Sequence, residues 1–394
     1  MWNNASNCKR INIVIIFFLL VSLISFNENK VAFANDNQIT DELNKNIDNI
    51  LDEIDFSEIN NECLNVPNLN LKFKDFVGLI LNGEYNFSYN SILNDIKELI
   101  FKNIGSNLRF FISLFVVAIL FEIFKSFSED KSKMSKSSFK IIFSFLFATF
   151  ILFFANDLYS RVGNLVGDLF NFSSVLFPIL ISLLTLSGST SSASFFSTFS
   201  IFLLETGFSV LRYILLPISL SIFLLSIFGS VFSTGYFSKI NSLFKTVFKY
   251  IFIIFFSVFG LLSTVNVIAS ASHDGINLKL AKFAIKNYIP VLGGYVSDGF
   301  DYVFSCSILI KNAVGVCSII ILVFKIIYPL IIVLLFSFGF KILSAVTGLI
   351  GSGEFSQMFD DVSGAINNFL SVILASFLIV FIFVFLIIMA VGVV

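Results

Sequence analysis

The sequence predicts an all-α protein, a polytopic transmembrane helical bundle preceded by a signal peptide and a short exported helical region. Three observations predict it. Residues 110–394 are an almost unbroken succession of apolar runs, each about long enough to cross a bilayer. The chain is 57% hydrophobic and 13% charged, with 54 Phe. Its mean hydropathy is +0.93. No water-soluble fold of 394 residues hides that much apolar surface. A bilayer does, provided the runs are helices that satisfy their own backbone hydrogen bonds.

Residues 1–34 read as a cleavable signal peptide. Lys9 and Arg10 form a short positive region, Ile11 to Phe26 is apolar, and Ala32-Phe33-Ala34 supplies a small-x-small cleavage pattern. An uncleaved anchor is the competing reading. Cleavage after Ala34 is favoured because the apolar run is short for a span.

Residues 35–109 read as an exported, acidic, amphipathic-helical region. They hold 13 acidic and 6 basic side chains, a net of −7. Leu43, Ile47, Ile50, Leu51 and Ile54 repeat at helical spacing, with Thr40 as an N-cap. Residues 60–70, with Pro67, read as a linker. A second amphipathic helix starts near Ser91 and carries Ile92, Leu93, Ile96, Leu99, Ile100 and Ile104 on one face. Gly105 and Ser106 are expected to separate it from the first span. The apolar stripe is thin, so this region should pack on the membrane surface or on a partner rather than form a core of its own.

Residues 110–394 read as the multi-span membrane domain, with 16 basic and 12 acidic side chains, a net of +4. About nine spans are expected: 110–127, 139–156, 165–186, 195–211, 213–232, 247–270, 303–323, 327–350 and 365–390. Arg212 alone separates the fourth from the fifth, which could instead form a re-entrant hairpin. Lysines set the orientation. The loop 129–138, with Lys131, Lys133 and Lys136, faces the cytoplasm, as does the loop bearing Lys239 and Lys245. The acidic loop with Glu354, Asp360 and Asp361 then lands outside. The segment 276–302 is the exception to this rule. Lys279, Lys282 and Lys286 share a face among Leu278, Leu280 and Phe283, which suggests a helix lying in the interface with snorkelling lysines.

Four of the five prolines, Pro178, Pro217, Pro290 and Pro329, sit in or at apolar segments and are expected to break helices. Pro178 and Pro217 stand 39 residues apart, as do Pro290 and Pro329, a weak hint of duplication. Ionisable residues inside spans are costly and so are default functional candidates. Glu205 lies within the fourth span, Lys311 and Asn312 in the middle of the seventh, and Lys341 nearer the end of the eighth. A Glu205–Lys311 pair is one arrangement. A carboxyl at the interface is the plainer reading of Glu205. Ser187 to Ser194 is rich in Ser and Gly and reads as a flexible inner loop or a pore mouth. Cys306 and Cys317, eleven apart on one apolar run, read as buried small side chains.

The catalytic inventory is poor. His273 is the only histidine, there is no H-E-x-x-H and no G-x-x-x-x-G-K-S/T, and no cysteine has zinc-ligand spacing. His273-Asp274 reads as a solvated turn. No enzyme activity, cofactor or metal is expected. No basic cluster interleaves with exposed aromatics, so no nucleic-acid partner is expected either.

A family resemblance rests on the order and spacing of several stretches. These are Phe-Pro…Leu-Ser-Gly at 177–188, Leu216-Pro217, Ala281-Lys282, Ile289-Pro290-Val291-Leu292-Gly293-Gly294, Ser297-Asp298, and Ile310-Lys311-Asn312-Ala313-Val314-Gly315. In these the chain resembles the stage III sporulation protein AE family of endospore-forming bacteria. The resemblance implies a non-catalytic membrane subunit of a channel or feeding-tube complex between mother cell and forespore, needed for late forespore gene expression. It implies a place in the mother-cell-derived membrane around the forespore, among membrane lipids. Its partners would be other proteins of the stage III A sporulation operon and a forespore-made protein. It carries no residue-level mechanism. An autonomous ion- or proton-coupled secondary transporter is the alternative, with Glu205 and Lys311 forming its site.

Overall fold

The computed structural model describes residues 47, 50–52, 54–64, 72–83, 89–127, 133–232, 235–288, 293–351 and 353–390. The expected signal peptide lies outside them. Every element among the described residues is helical. Two short helices, α1 (Ser57–Leu64) and α2 (Phe73–Leu81), precede seven longer ones: α3 (Tyr89–Phe127), α4 (Lys133–Leu186), α5 (Thr190–Phe202), α6 (Leu216–Phe232), α7 (Gly235–Tyr288), α8 (Gly293–Ile350) and α9 (Gly353–Met389). Two π-helical segments, Leu203–Gly207 and Val210–Leu215, join α5 to α6.

Among the described residues, five apolar helical stretches are long enough to cross a membrane: Phe145–Leu186, Thr190–Gly229, Tyr236–Leu262, Tyr302–Ile350 and Phe355–Met389. Several of the nine shorter spans read from the sequence run together. The expected second and third spans are one helix, α4, and the seventh and eighth are one helix, α8. The supposed breaks, around Asp157–Asn164 and at Lys325, are charged or polar but carry nothing that stops a helix. An α-helix needs only backbone N–H and C=O groups in register, which polar side chains leave intact. The same holds at Gly105 and Ser106, where α3 continues. Helix α9, with 37 residues, is about 55 Å long, against about 30 Å of hydrocarbon.

Pro178 and Pro329 lie inside α4 and α8 rather than ending them. Each removes one N–H, and the neighbouring turns carry the helix through. Pro217 stands two residues past the second π segment. A proline ring crowds the carbonyl one turn back, and a widened turn relieves that clash. The chain from Thr190 to Phe232 is one continuous helical run through the π segments, neither two separate spans nor the alternative re-entrant hairpin. Pro290 lies outside the described residues. Across the described part of 276–302, α7 runs on to Tyr288 and α8 starts at Gly293.

Helix α9 forms the centre, packing most extensively on α8 and also on α6 and α4. Helix α3 fits the groove between α4 and α8. Phe110 meets Phe154 at 5.6 Å and Phe340 at 6.1 Å, and Phe154 meets Phe336 at 4.3 Å. Further along, Phe177 and Phe383 stack with centroids 3.7 Å apart, and Phe196 meets Phe383 edge-on at 5.7 Å. Small hydroxyls tie α8 to α9. Ser363 Oγ donates to the carbonyl of Ser337 at 2.9 Å, and Ser344 and Ser356 each donate to the other's carbonyl at 2.8 Å. Such pairs let apolar helices approach closely and fix their register.

The placement of the turns is set by this packing. The last turns of α3 and the first turn of α9 lie at one end, since Phe121 contacts Phe355 at 4.5 Å and Gly351 lies beside Glu122. The end of α3 and the acidic stretch beginning at Glu354 therefore share an end of the bundle, whereas the lysine pattern put the loop that follows α3 opposite that stretch; residues 128–132 of the loop lie outside the described residues. With α4 unbroken, Ser187–Ser194 falls at the other end. It is a tight corner rather than a flexible loop. Gly188 takes φ +81, its N–H bonds to Thr185 O at 3.0 Å, and the N–H of Ser189 bonds to Leu184 O at 3.2 Å. This pair of bonds closes a Schellman motif.

Candidate functional site

Polar side chains collect at two levels. The first is the end where α5 starts and α9 finishes. Lys311, fully buried on α8, donates from Nζ to the carbonyls of Ile387 at 2.9 Å, Ile388 at 3.3 Å and Ala390 at 3.3 Å. The last carbonyls of a helix have no intrahelical partner and carry the negative end of its dipole. A buried ammonium is what they attract. Asp274, on α7 and 1% exposed, does the converse for α5. Its Oδ1 accepts from the Ser191 N–H at 2.7 Å and its Oδ2 from the Ser192 N–H at 3.0 Å. These are the second and third residues of α5, whose own N-cap, Ser189, makes no side-chain cap bond. Asp274 therefore caps α5 from another helix. The sequence reading of His273-Asp274 as a solvated turn is corrected. The pair lies in mid-helix, and the carboxylate is enclosed.

The second level lies near the middle of α4 and α8. There a cavity of about 440 Å³ opens between the two helices, walled by Arg161, Asp168, Lys325 and Tyr328 and closed on one side by Glu62 of α1. Lys325 Nζ donates to Glu62 Oε2 at 2.7 Å, with the two side chains 9% and 22% exposed. The ammonium also lies 5.5 Å from the centre of the Phe172 ring. Arg161 pairs through Nε with Asp157 at 2.7 Å on the outer face of α4. Pro329 lines the cavity and offers no N–H to the Lys325 carbonyl one turn back. The Arg212 guanidinium reaches Gly167 at the same level.

The structure separates the residues singled out in the sequence. Glu205 is exposed in the first π segment. Gly207, just past it, packs on Ile379, whereas Lys311 reaches residues 387–390, about 12–16 Å further along α9. The Glu205–Lys311 pair is not formed. Asn312 Oδ1 is enclosed with no hydrogen-bond partner among the described residues. Lys341 is exposed and pairs with Asp360. Cys306 and Cys317 are buried and unbridged. Among the described residues no three His, Cys, Asp or Glu side chains cluster as metal ligands. Sequence reading missed Asp274 and the Glu62–Lys325 pair. The mid-helix level did leave a trace. Arg161, Asn164 and Asp168 follow i, i+3, i+7 spacing, a polar stripe on one face of a largely apolar helix.

The family model for stage III sporulation protein AE matches residues 71–392. The chain belongs to the stage III sporulation protein AE family. A curated relative, stage III sporulation protein AE of Bacillus subtilis (strain 168), is 26% identical over 289 residues, covering 73% of this chain and 72% of the relative. No solved structure matches. Family membership implies a role in sporulation. The match takes in Lys311, Asp274 and the α4 and α8 walls of the cavity. It leaves out α1 and Glu62.

Proposed function

We propose that the chain is a non-catalytic membrane subunit of the channel, or feeding-tube, complex that links mother cell and forespore and sustains late forespore gene expression. In this reading residues 1–34 are removed on export, and the acidic segment after them meets other proteins of the stage III A operon and a forespore-made partner. The bundle sits in the mother-cell-derived membrane around the forespore.

One observation carries the reading beyond the family match. Among the described residues, the most deeply buried ionisable groups are engaged in holding helices together. Lys311 is held by three carbonyls and Asp274 by two amides. A group so engaged is poorly placed to take up and release a transported ion. That supports a scaffold or conduit wall over an autonomous transporter built on Glu205 and Lys311. The test is deletion of the gene, with a fluorescent reporter on a late forespore promoter. The expected result is engulfed forespores with the reporter silent, restored by the full-length gene. Normal spores with normal late transcription would overturn the proposal.

A further inference from the structure

Helix α4 changes character along one face. From 142 to 153 its exposed side chains are mostly apolar, with Phe145 52% and Phe153 83% exposed. From 156 to 185 every exposed side chain except Pro178 is polar. Asn156, Ser160, Asn164, Asp168 and Asn171 run up the middle of this stripe, and the Asp157–Arg161 pair lies beside them. Ser182 and Thr185 carry it on. An advance of about 100° per residue keeps all of these within an arc of about 140°. The opposite face, with Leu158, Val162, Leu165, Leu169 and Phe172, is buried.

The stripe lies within the apolar stretch Phe145–Leu186. It runs for about 44 Å, more than the ~30 Å of hydrocarbon in a bilayer. The apolar part of the same face, 142–153, covers only about 17 Å, so a bilayer around α4 extends past Asn156. Neighbouring helices agree. Phe177 of α4 and Phe199 of α5 both lie against Phe383, at 3.7 and 6.4 Å, and Phe199 is 5.9 Å from Phe259 of α7. Near that height the surfaces of α5 and α7 are apolar, with Ile201 and Ile254 each 61% and Leu261 66% exposed. The bundle stands in hydrocarbon there, and α4 turns a continuous polar face outward.

Amides and charges facing lipid carry a heavy desolvation cost. Among the described residues, the Asn164 and Asp168 side chains make no hydrogen bond or ion pair that offsets it. A dry partner would have to answer each amide, hydroxyl and carboxylate separately. Water answers all of them at once. The cavity between α4 and α8 shares Arg161, Asn164 and Asp168 with the stripe, so polar space continues from one into the other.

We propose that the outer face of α4, from Asn156 to Thr185, is one wall of a water-filled path across the membrane for small hydrophilic solutes. One helix face encloses nothing, so neighbouring subunits complete the wall. This rests on the channel-subunit reading and names the surface that lines the conduit.

Thiol accessibility in the assembled complex tests it. The full chain, with its own cysteines replaced by alanine, carries one new cysteine at a time. Ser160→Cys, Asn164→Cys, Asn171→Cys and Ser182→Cys sample the stripe, and Phe150→Cys, Ile201→Cys and Ile254→Cys sample the apolar surface. All these sites are exposed, so the substitutions leave the core intact. Membranes from sporulating cells are frozen and thawed, so that a membrane-impermeant, positively charged methanethiosulfonate reaches both sides. The reactive thiolate forms in water, so the stripe sites should react about tenfold or more faster than the apolar sites. Equally slow reaction at every site overturns the proposal, because the stripe is then dry. Equally fast reaction overturns it too, because that whole height then lies outside the membrane. Reaction at Ser160→Cys that is lost by Ser182→Cys marks a closed vestibule and also overturns it. The profile reads where water goes and not whether spores form, so it stands apart from the gene-deletion test.

Discussion

The Lys311 ammonium on α8 lies 2.9 Å from the carbonyl oxygen of Ile387 in the last turn of α9. Helix α8 thereby ends α9, as Asp274 on α7 begins α5.

Lys311→Met should strip the last carbonyls of α9 of their side-chain donor. The expected cost is about 1–3 kcal/mol, the penalty of buried acceptors that lose a donor. Thermal unfolding of the purified protein in detergent should show a lower Tm. Lys311→Arg, which keeps the charge but not the compact head, should fall between the two.

Asp274→Ala removes a cap and should cost about 0.5–2 kcal/mol. Asp274→Asn keeps an acceptor oxygen and should cost less. Amide exchange at Ser191 and Ser192 should rise in the same order.

A methyl group at Gly339 would run into the Phe111 ring. Gly339→Ala should therefore push α3 off α8, at a cost of about 1–3 kcal/mol, as overpacking does. Adding Phe111→Ala removes the obstacle. The double variant should be less destabilised than the sum of the two singles, as read from unfolding midpoints.

Ser337→Ala and Ser363→Ala should each cost only about 0.6 kcal/mol, the usual worth of an interhelical hydroxyl bond in a membrane. Their signature should instead be a looser α8–α9 register, measurable as a broader distance distribution between spin labels on the two helices.

The class was legible because apolar length is a property of composition, and the runs at 139–156 and 327–350 advertise it. The number of spans was not. Asp157, Arg161, Arg212 and Lys325 look like the ends of spans, but a helix can run through charge when a protein neighbour answers it. Glu62 answers Lys325 from a point far back in the sequence, and Asp157 answers Arg161 from the turn before. Lys311 was conspicuous as an intramembrane cation. Its acceptors were invisible because backbone carbonyls leave no mark on a sequence. Asp274 was misread for a related reason. His273-Asp274-Gly275 has the composition of a turn, and only the arrival of the α5 N-terminus beside it makes a buried carboxylate stable.

The two π segments between α5 and α6 carry a consequence for how this part of the chain tolerates change. Each π turn holds one residue more than an α turn, and each inserted residue rotates the downstream helix by about 100°. Thr190–Phe202 and Leu216–Phe232 are therefore phased independently, and the stretch between them stores two surplus positions. A single-residue deletion placed there can be absorbed by collapse of a wide turn into an ordinary one. The same deletion in α9, where no such slack exists, would turn every side chain beyond it away from its neighbour.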